Sequence, residues 1–137
     1  MIGYITLGTN DLARAGAFYD KLLAPLGAER TLQDERMLGW SNHRNGVLLS
    51  VIEPYNGAPA TVGNGVMVAL NADTPAQVEA IYQLALSLGA QDEGHPHDRG
   101  SSMGFYGGYF RDLDGNKLVA YCLGLPEPPS EDELSEG

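Results

Sequence analysis

The stretch GYITLGTNDLARAGAFYDKLLAPLGA, residues 3–28, decides the fold when it is laid over VMVALNADTPAQVEAIYQLALSLGA, residues 66–90. At an offset of 63, residues 3–7 lie over 66–70, Asn10 over Asp73, Ala17 over Ala80 and Tyr19 over Tyr82. At an offset of 62, Leu26, Gly27 and Ala28 lie over Leu88, Gly89 and Ala90. Each copy begins with a short apolar alternation that suits a strand, residues 2–8 in the first copy and 65–70 in the second. A cap follows, Asn10-Asp11 or Asp73-Thr74, with Pro75 suited to a first helical turn. Apolar residues then recur at helical spacing: Leu12, Ala15, Phe18, Tyr19, Leu22 and Leu23 in one copy, Val78, Ile81, Tyr82, Ala85 and Leu86 in the other. Pro25 and Gly27 end the first helix and Gly89 the second.

Outward from these stretches, three short strands follow each helix. They are expected at 28–33, 37–41 and 47–53, then around 90–93, 105–111 and 117–123. Asp34-Glu35 and Asn45-Gly46 supply turns, and residues 54–63 read as a linker broken by Gly57, Pro59 and Gly63. The chain therefore reads as an α+β protein of two tandem βαβββ modules, about 1–57 and 63–124, within one domain spanning 1–124. A lone βαβββ unit leaves an apolar sheet face uncovered. Two units solve this by forming a curled mixed sheet, a cup with its helices outside. Such a cup suits a small-molecule ligand. The segment 125–137, rich in Pro, Ser and Glu, cannot bury enough apolar surface to offset its ordering and is expected to be a disordered acidic tail.

Of 137 residues 43% are apolar, and no apolar run reaches the ~18 residues of a membrane span. The net charge is −10. Removing the tail's five acids from the chain's 18 leaves 13 against 8 bases, so the folded part is also acidic. This disfavours nucleic acid and fits a cationic or neutral small ligand better, although acidity also serves solubility alone. Cys122 is the only cysteine, so no intrachain disulfide forms, and the N-terminus lacks a secretory pattern. A cytoplasmic protein is expected.

Four segments in order carry a family resemblance: MIGYITLGTNDLARAGAFYDKLLAPLGAE at 1–29, GNGVMVAL at 63–70, GHPHDRG at 94–100 and YFRDLDGNKLVAYC at 109–122. Together they resemble the vicinal oxygen chelate superfamily of glyoxalase, bleomycin-resistance and dioxygenase proteins over roughly residues 1–123. The resemblance implies a cup that often holds a divalent metal on His, Glu or Gln, with an open position that polarises a substrate oxygen. Carried over position by position, these ligands fall on Tyr4, Met67, Val119 and a residue near Leu49 or Ser50. Val has no donor atom, Met suits copper(I), and Tyr binds ferric ion only as phenolate. The expectation is no metal and no cofactor.

The pocket candidates are Tyr4, Thr6, Met67, Arg99, Tyr109, Val119 and Tyr121. Trp40, His95 and His97 are rim candidates, with the histidines in a loop marked by Gly94, Pro96 and Gly100. Arg99 matches an Arg in related loops and would pair with a ligand carboxylate or an internal acid. His43 in SNHRNG reads as exposed on a turn, DLDGN at 112–116 as a tight turn rather than a calcium loop, and Cys122 as buried and inert. The leading functional expectation is metal-free small-molecule binding, of which bleomycin-resistance proteins are the precedent, with a homodimer as the assembly. A glyoxalase-like lyase or isomerase working through Tyr, His and Arg or an atypical metal site is the alternative. A regulatory partner with a vestigial cup is the third reading.

Overall fold

The computed structural model describes residues 1–42 and 46–124. His43 and the acidic tail therefore lie outside the described residues. Each half has the expected order. The first contains β1 (Tyr4–Gly8), α1 (Leu12–Leu23), β2 (Glu29–Gln33), β3 (Met37–Ser41) and β4 (Leu48–Ile52). The second contains β5 (Val68–Asn71), α2 (Pro75–Ser87), β6 (Gln91–Asp98), β7 (Phe105–Arg111) and β8 (Lys117–Leu123). The sheets are mixed and share one topology, β1-β4-β3-β2 and β5-β8-β7-β6, with the first pair of each parallel and the rest antiparallel.

Capping residues fix where the helices start. Asp11 is extended and its carboxylate accepts from the Arg14 N–H at 3.0 Å. Thr74 does the same for Gln77 at 3.1 Å, and the Gln77 side chain returns a bond to the Asp73 N–H at 2.7 Å, a reciprocal cap. Gly27, which closes the 3₁₀ turn Ala24–Leu26 after α1, and Gly89, which follows α2, are matched in the repeat and have φ of 74° and 104°, a left-handed bend that suits a residue without Cβ.

Each helix covers one face of its own sheet. Phe18, Tyr19, Leu22 and Leu23 of α1 share a core with Leu38, Trp40, Leu49 and Val51. Val78, Ile81 and Ala85 of α2 meet Phe110, Leu118, Ala120 and Cys122. Each fully buried aliphatic or aromatic side chain contributes roughly 1.5–3 kcal/mol.

The modules meet chiefly through α1, α2 and a polar clasp. Tyr19 donates its hydroxyl to Asp112 at 2.6 Å across 93 positions of sequence. Asp112 also accepts from the N–H groups of Asp114 and Asn116 and from the Asn116 amide, each at 2.9 Å. Asn116 in turn donates to the Gly8 carbonyl at 2.9 Å. Asp114 accepts from Thr9 at 2.6 Å and the Asn10 N–H at 2.9 Å, with Arg14 at 3.3 Å. The DLDGN segment is thus a tight turn, as its sequence indicates, whose acids also lock the two halves together. Burial and the Asp112 charge push the Tyr19 phenol well above its usual range, so it stays a donor. No helix among the described residues is long and apolar enough to cross a membrane.

Candidate functional site

Side chains alternate across a strand, so the face of each sheet away from its helix is set by the core. In the first sheet Leu49 and Val51 point into the helix-side core. Leu48 and Ser50 point the other way, where a Cβ on Gly39 would come within 2.7 Å and 2.9 Å of them. Tyr4 pairs with Leu48 and Thr6 with Ser50, placing both on this uncovered face. The register near Leu49 or Ser50 is thereby resolved. Ser50 pairs with Thr6 as Val119 pairs with Ala69, and the overlaid repeat equates Thr6 with Ala69, so Ser50 is the counterpart of Val119. Its hydroxyl is buried and has no hydrogen-bond partner among the described residues.

In the second sheet Leu118, Ala120 and Cys122 face the helix, so Lys117, Val119 and Tyr121 face away. Phe105, Gly107, Tyr109 and Arg111 of β7 share that face. Phe105 and Tyr121 stack at 5.1 Å with rings 5° from parallel. The Phe105 ring leans over Gly107, whose hypothetical Cβ would lie 2.7 Å from it and 3.1 Å from Val119. Val119 is fully buried there.

Tyr109 is flanked by two cations. The Arg99 guanidinium carbon stands 4.8 Å from its ring centroid and the Lys117 ammonium 5.2 Å. Arg99 is held by the carbonyls of Gly107 at 3.1 Å, Gly94 at 3.2 Å and His95 at 2.8 Å. No ion pair to an acid forms at Arg99 or Lys117 among the described residues, so the internal acid considered for Arg99 is not its partner. Gly94 makes room for this arrangement: its φ is 142°, and a Cβ there would sit 3.2 Å from the Arg99 guanidinium. Beside Lys117 lies a cavity of about 500 Å³ lined by residues 62–67, Arg111 and Lys117. A second hollow of about 330 Å³ runs between the modules, with Ala69, Asn71 and Tyr121 on one side and Trp40 and Leu49 on the other.

The structure brings Tyr109, Val119 and Tyr121 onto the second sheet, with Met67 just before β5 and Arg99 just after β6, whereas Tyr4 and Thr6 lie on the first. Trp40 corrects its expected place at the rim. It is 1% exposed, packs in the core at 5.5 Å from Tyr19, and donates to Asp20 at 2.8 Å. His95 and His97 also correct the loop expectation. They lie on β6, exposed, with rings 5.5 Å apart. Proline is tolerated between them because β6 is an edge strand interrupted by register shifts at Asp92/Gly94 and Gly94/His97. Lys117 was missed by the sequence reading. Its sequence signal is its position two residues before Val119, which on a strand puts both on one face.

The donor set fits a divalent metal poorly. Tyr4 is 63% and Met67 42% exposed, on different sheets, while Ser50 offers a neutral hydroxyl and Val119 no donor. No cluster of three or more His, Cys, Asp or Glu side chains among the described residues is arranged to hold a metal. Cys122 is buried, which pushes its thiol pKa up and keeps it unreactive.

Comparison with known proteins agrees with this architecture. The structure resembles a glyoxalase/bleomycin resistance protein from Albidiferax ferrireducens, with 31% identity, a TM-score of 0.80 and coverage of 89% of this chain and 98% of that one. A glyoxalase-related enzyme from Fulvimarina pelagi shares the fold at 21% identity and a TM-score of 0.71, covering 89% and 87% of the two chains. So does a lactoylglutathione lyase from Agrobacterium tumefaciens, at 24% identity and a TM-score of 0.65 over 89% and 92%. No curated protein matches the sequence. The family model for the Glyoxalase/Bleomycin resistance protein/Dioxygenase superfamily matches residues 1–120, and with the shared topology it establishes that the chain belongs to this superfamily.

Proposed function

We propose that the protein binds a small organic molecule on the uncovered faces of its two sheets, without the divalent metal its superfamily often uses. The observation that carries this reading is Val119, fully buried and without a lone pair at a position where the resemblance implies a carboxylate. Its counterpart Ser50 cannot replace that charge. A thermal-shift screen of metabolites and drugs, with and without divalent ions, tests the reading. A ligand at 100 times its Kd stabilises by about 2.7 kcal/mol. Stabilisation by a divalent ion alone, or about one such ion per chain purified without an affinity tag for metals, would reject the metal-free part.

The assembly in this reading is a homodimer in the cytoplasm. Ile2, Tyr4, Val62, Val66 and Met67 are apolar side chains exposed on one chain, and a second copy would cover them. Light scattering at micromolar concentration distinguishes dimer from monomer.

A second reading is a glyoxalase-like lyase or isomerase. It draws support from Arg99 beside Tyr109 and from the neighbouring His95 and His97 rings. Lactoylglutathione lyase activity that survives chelation and falls in Arg99→Gln would favour it over binding alone.

A further inference from the structure

We propose that Asn64 is a site of self-catalysed covalent modification, in which the backbone nitrogen of Gly65 converts the asparagine amide to a carboxylate. Asn-Gly pairs stand at 45–46, 56–57 and 64–65. Glycine has no Cβ to keep its nitrogen from the preceding side chain, so asparagine is most labile in such pairs. Asn45 lies outside the described residues. The other two pairs are exposed on turns between β4 and β5, but the turns are set one residue out of step. At the first, the Gly57 N–H closes the turn by donating to the Pro54 carbonyl at 3.1 Å, and the Asn56 amide oxygen accepts from the Ala58 N–H at 3.0 Å. Nucleophile and electrophile are thus each held in another bond. At the second, the Val66 N–H closes the turn on the Gly63 carbonyl at 3.2 Å, which leaves Gly65 in the middle of it. Neither the Gly65 N–H nor the Asn64 side chain makes a hydrogen bond among the described residues. A Cβ on Gly65 would meet nothing within 4 Å, so there is room for a ring to close.

The Gly65 nitrogen attacks Cγ of Asn64. The N–Cγ bond forms, the Cγ–Nδ2 bond breaks, and Nδ2 leaves as ammonia with the proton that Gly65 gives up. Water then opens the cyclic imide. Breaking the new bond gives Asp, and breaking the original peptide bond gives isoaspartate, whose main chain runs through Cβ and Cγ. Either product puts a negative charge where a neutral amide stood, in the wall of the cavity of about 500 Å³ that Arg111 and Lys117 also line. Lys117 has no acid partner among the described residues, so the new carboxylate is attracted to it. Isoaspartate also lengthens the main chain by a methylene just ahead of β5.

The full chain, folded or in urea, is incubated in mildly alkaline buffer and mapped by peptide mass spectrometry. Isoaspartate methyltransferase with a labelled methyl donor marks the isoaspartyl product. Urea removes both turns, so Asn64 and Asn56 should react at similar rates there. In the folded chain Asn64 should lead on the order of tenfold, the worth of the two hydrogen bonds that hold the Asn56 pair. A second copy of the chain would cover Val62, Val66 and Met67 beside the turn, so the folded arm is run at a dilution where light scattering finds single chains. Asn64→Gln, whose longer side chain closes a less favourable ring, should remove the leading product. Its melting temperature should be unchanged, because the side chain is exposed and unbonded. Equal rates in the folded chain, or Asn56 ahead, overturn the proposal. So does a folded chain in which neither residue reacts while both react in urea. Small-molecule binding is decided separately, by the thermal-shift screen.

Discussion

The two modules share one chain order and one topology, yet they use the same repeated tyrosine in opposite ways. Tyr19 in α1 sends its hydroxyl to Asp112 of the other module at 2.6 Å. Tyr82, its counterpart in α2, sends its hydroxyl to Asp92 at 2.7 Å, only ten positions away in its own module. Burial and the Asp92 bond push the Tyr82 phenol up to about 12, and Asp92 is held below its usual range by that hydroxyl and the Gly94 N–H. The uncovered faces diverge too. The first carries Tyr4, Thr6, Leu48 and Ser50, with no base among them, while the second carries Arg99, Arg111 and Lys117 around its aromatic residues. Duplication has kept the scaffold that buries the core and let the uncovered faces diverge.

The largest expected effect comes from cutting the bond that joins the modules. Asp112→Ala strands the Tyr19 hydroxyl, the Asn116 amide and two backbone N–H groups in a buried region. It should cost about 3 kcal/mol or more and lower the melting temperature by on the order of 10 °C, read by calorimetry. A loss below about 1 kcal/mol would reduce the clasp to a surface turn.

Next in size is the contrast between Tyr19→Phe and Tyr82→Phe. Each removes one hydrogen bond to a carboxylate, but the acceptor of the first, Asp112, is buried whereas Asp92 is exposed. Urea midpoints should show Tyr19→Phe costing about 1.5–3 kcal/mol and Tyr82→Phe nearer 1 kcal/mol. Equal losses would erase the distinction between a bond across modules and one within a module.

The same pair sets the alkaline limit of stability. Both phenols have folded pKa values above their unfolded value near 10. Above about pH 10 the unfolded chain releases protons that the native chain keeps, so stability falls as pH rises. Tyr19→Phe should flatten this decline and leave the Tyr82 share, measured by denaturation at stepwise pH. The smallest effect is expected at Ser50→Ala. Because the Ser50 hydroxyl has no partner among the described residues, its removal should change stability by less than about 0.5 kcal/mol or raise it slightly. A clear destabilisation would mean that the hydroxyl has a partner after all.

The parts of this fold that depend on periodicity and capping were readable from residues alone. The helices begin at Asp11 and Thr74 and end at the paired glycines because those signals are local. β3, β7 and β8 match their expected limits for the same reason. Of β6 only the start, around residues 90–93, was readable, since Gly94 and Pro96 break strands in most contexts and only the edge position of β6 tolerates them. Trp40 also misled. It was expected at the rim, on a strand over the pocket mouth, but its helix-side parity on β3 and the Asp20 carboxylate of α1 make it a core residue with a satisfied N–H. At the site, residue identity was enough to doubt the metal. The cation pair around Tyr109 was not legible, because Arg99 and Lys117 lie 18 positions apart and meet only through β-pairing.

The clasp at Asp112 also predicts an order of events at the ribosome. When α1 has been synthesised, Tyr19 still lacks an acceptor that lies 93 residues further along the chain. Asp112 has no such dependence, because Asp114 and Asn116, four residues away or fewer, already supply it with donors. The half made first therefore waits for the half made last, so nascent chains halted before residue 112 should present an unfinished N-terminal half to proteases and chaperones.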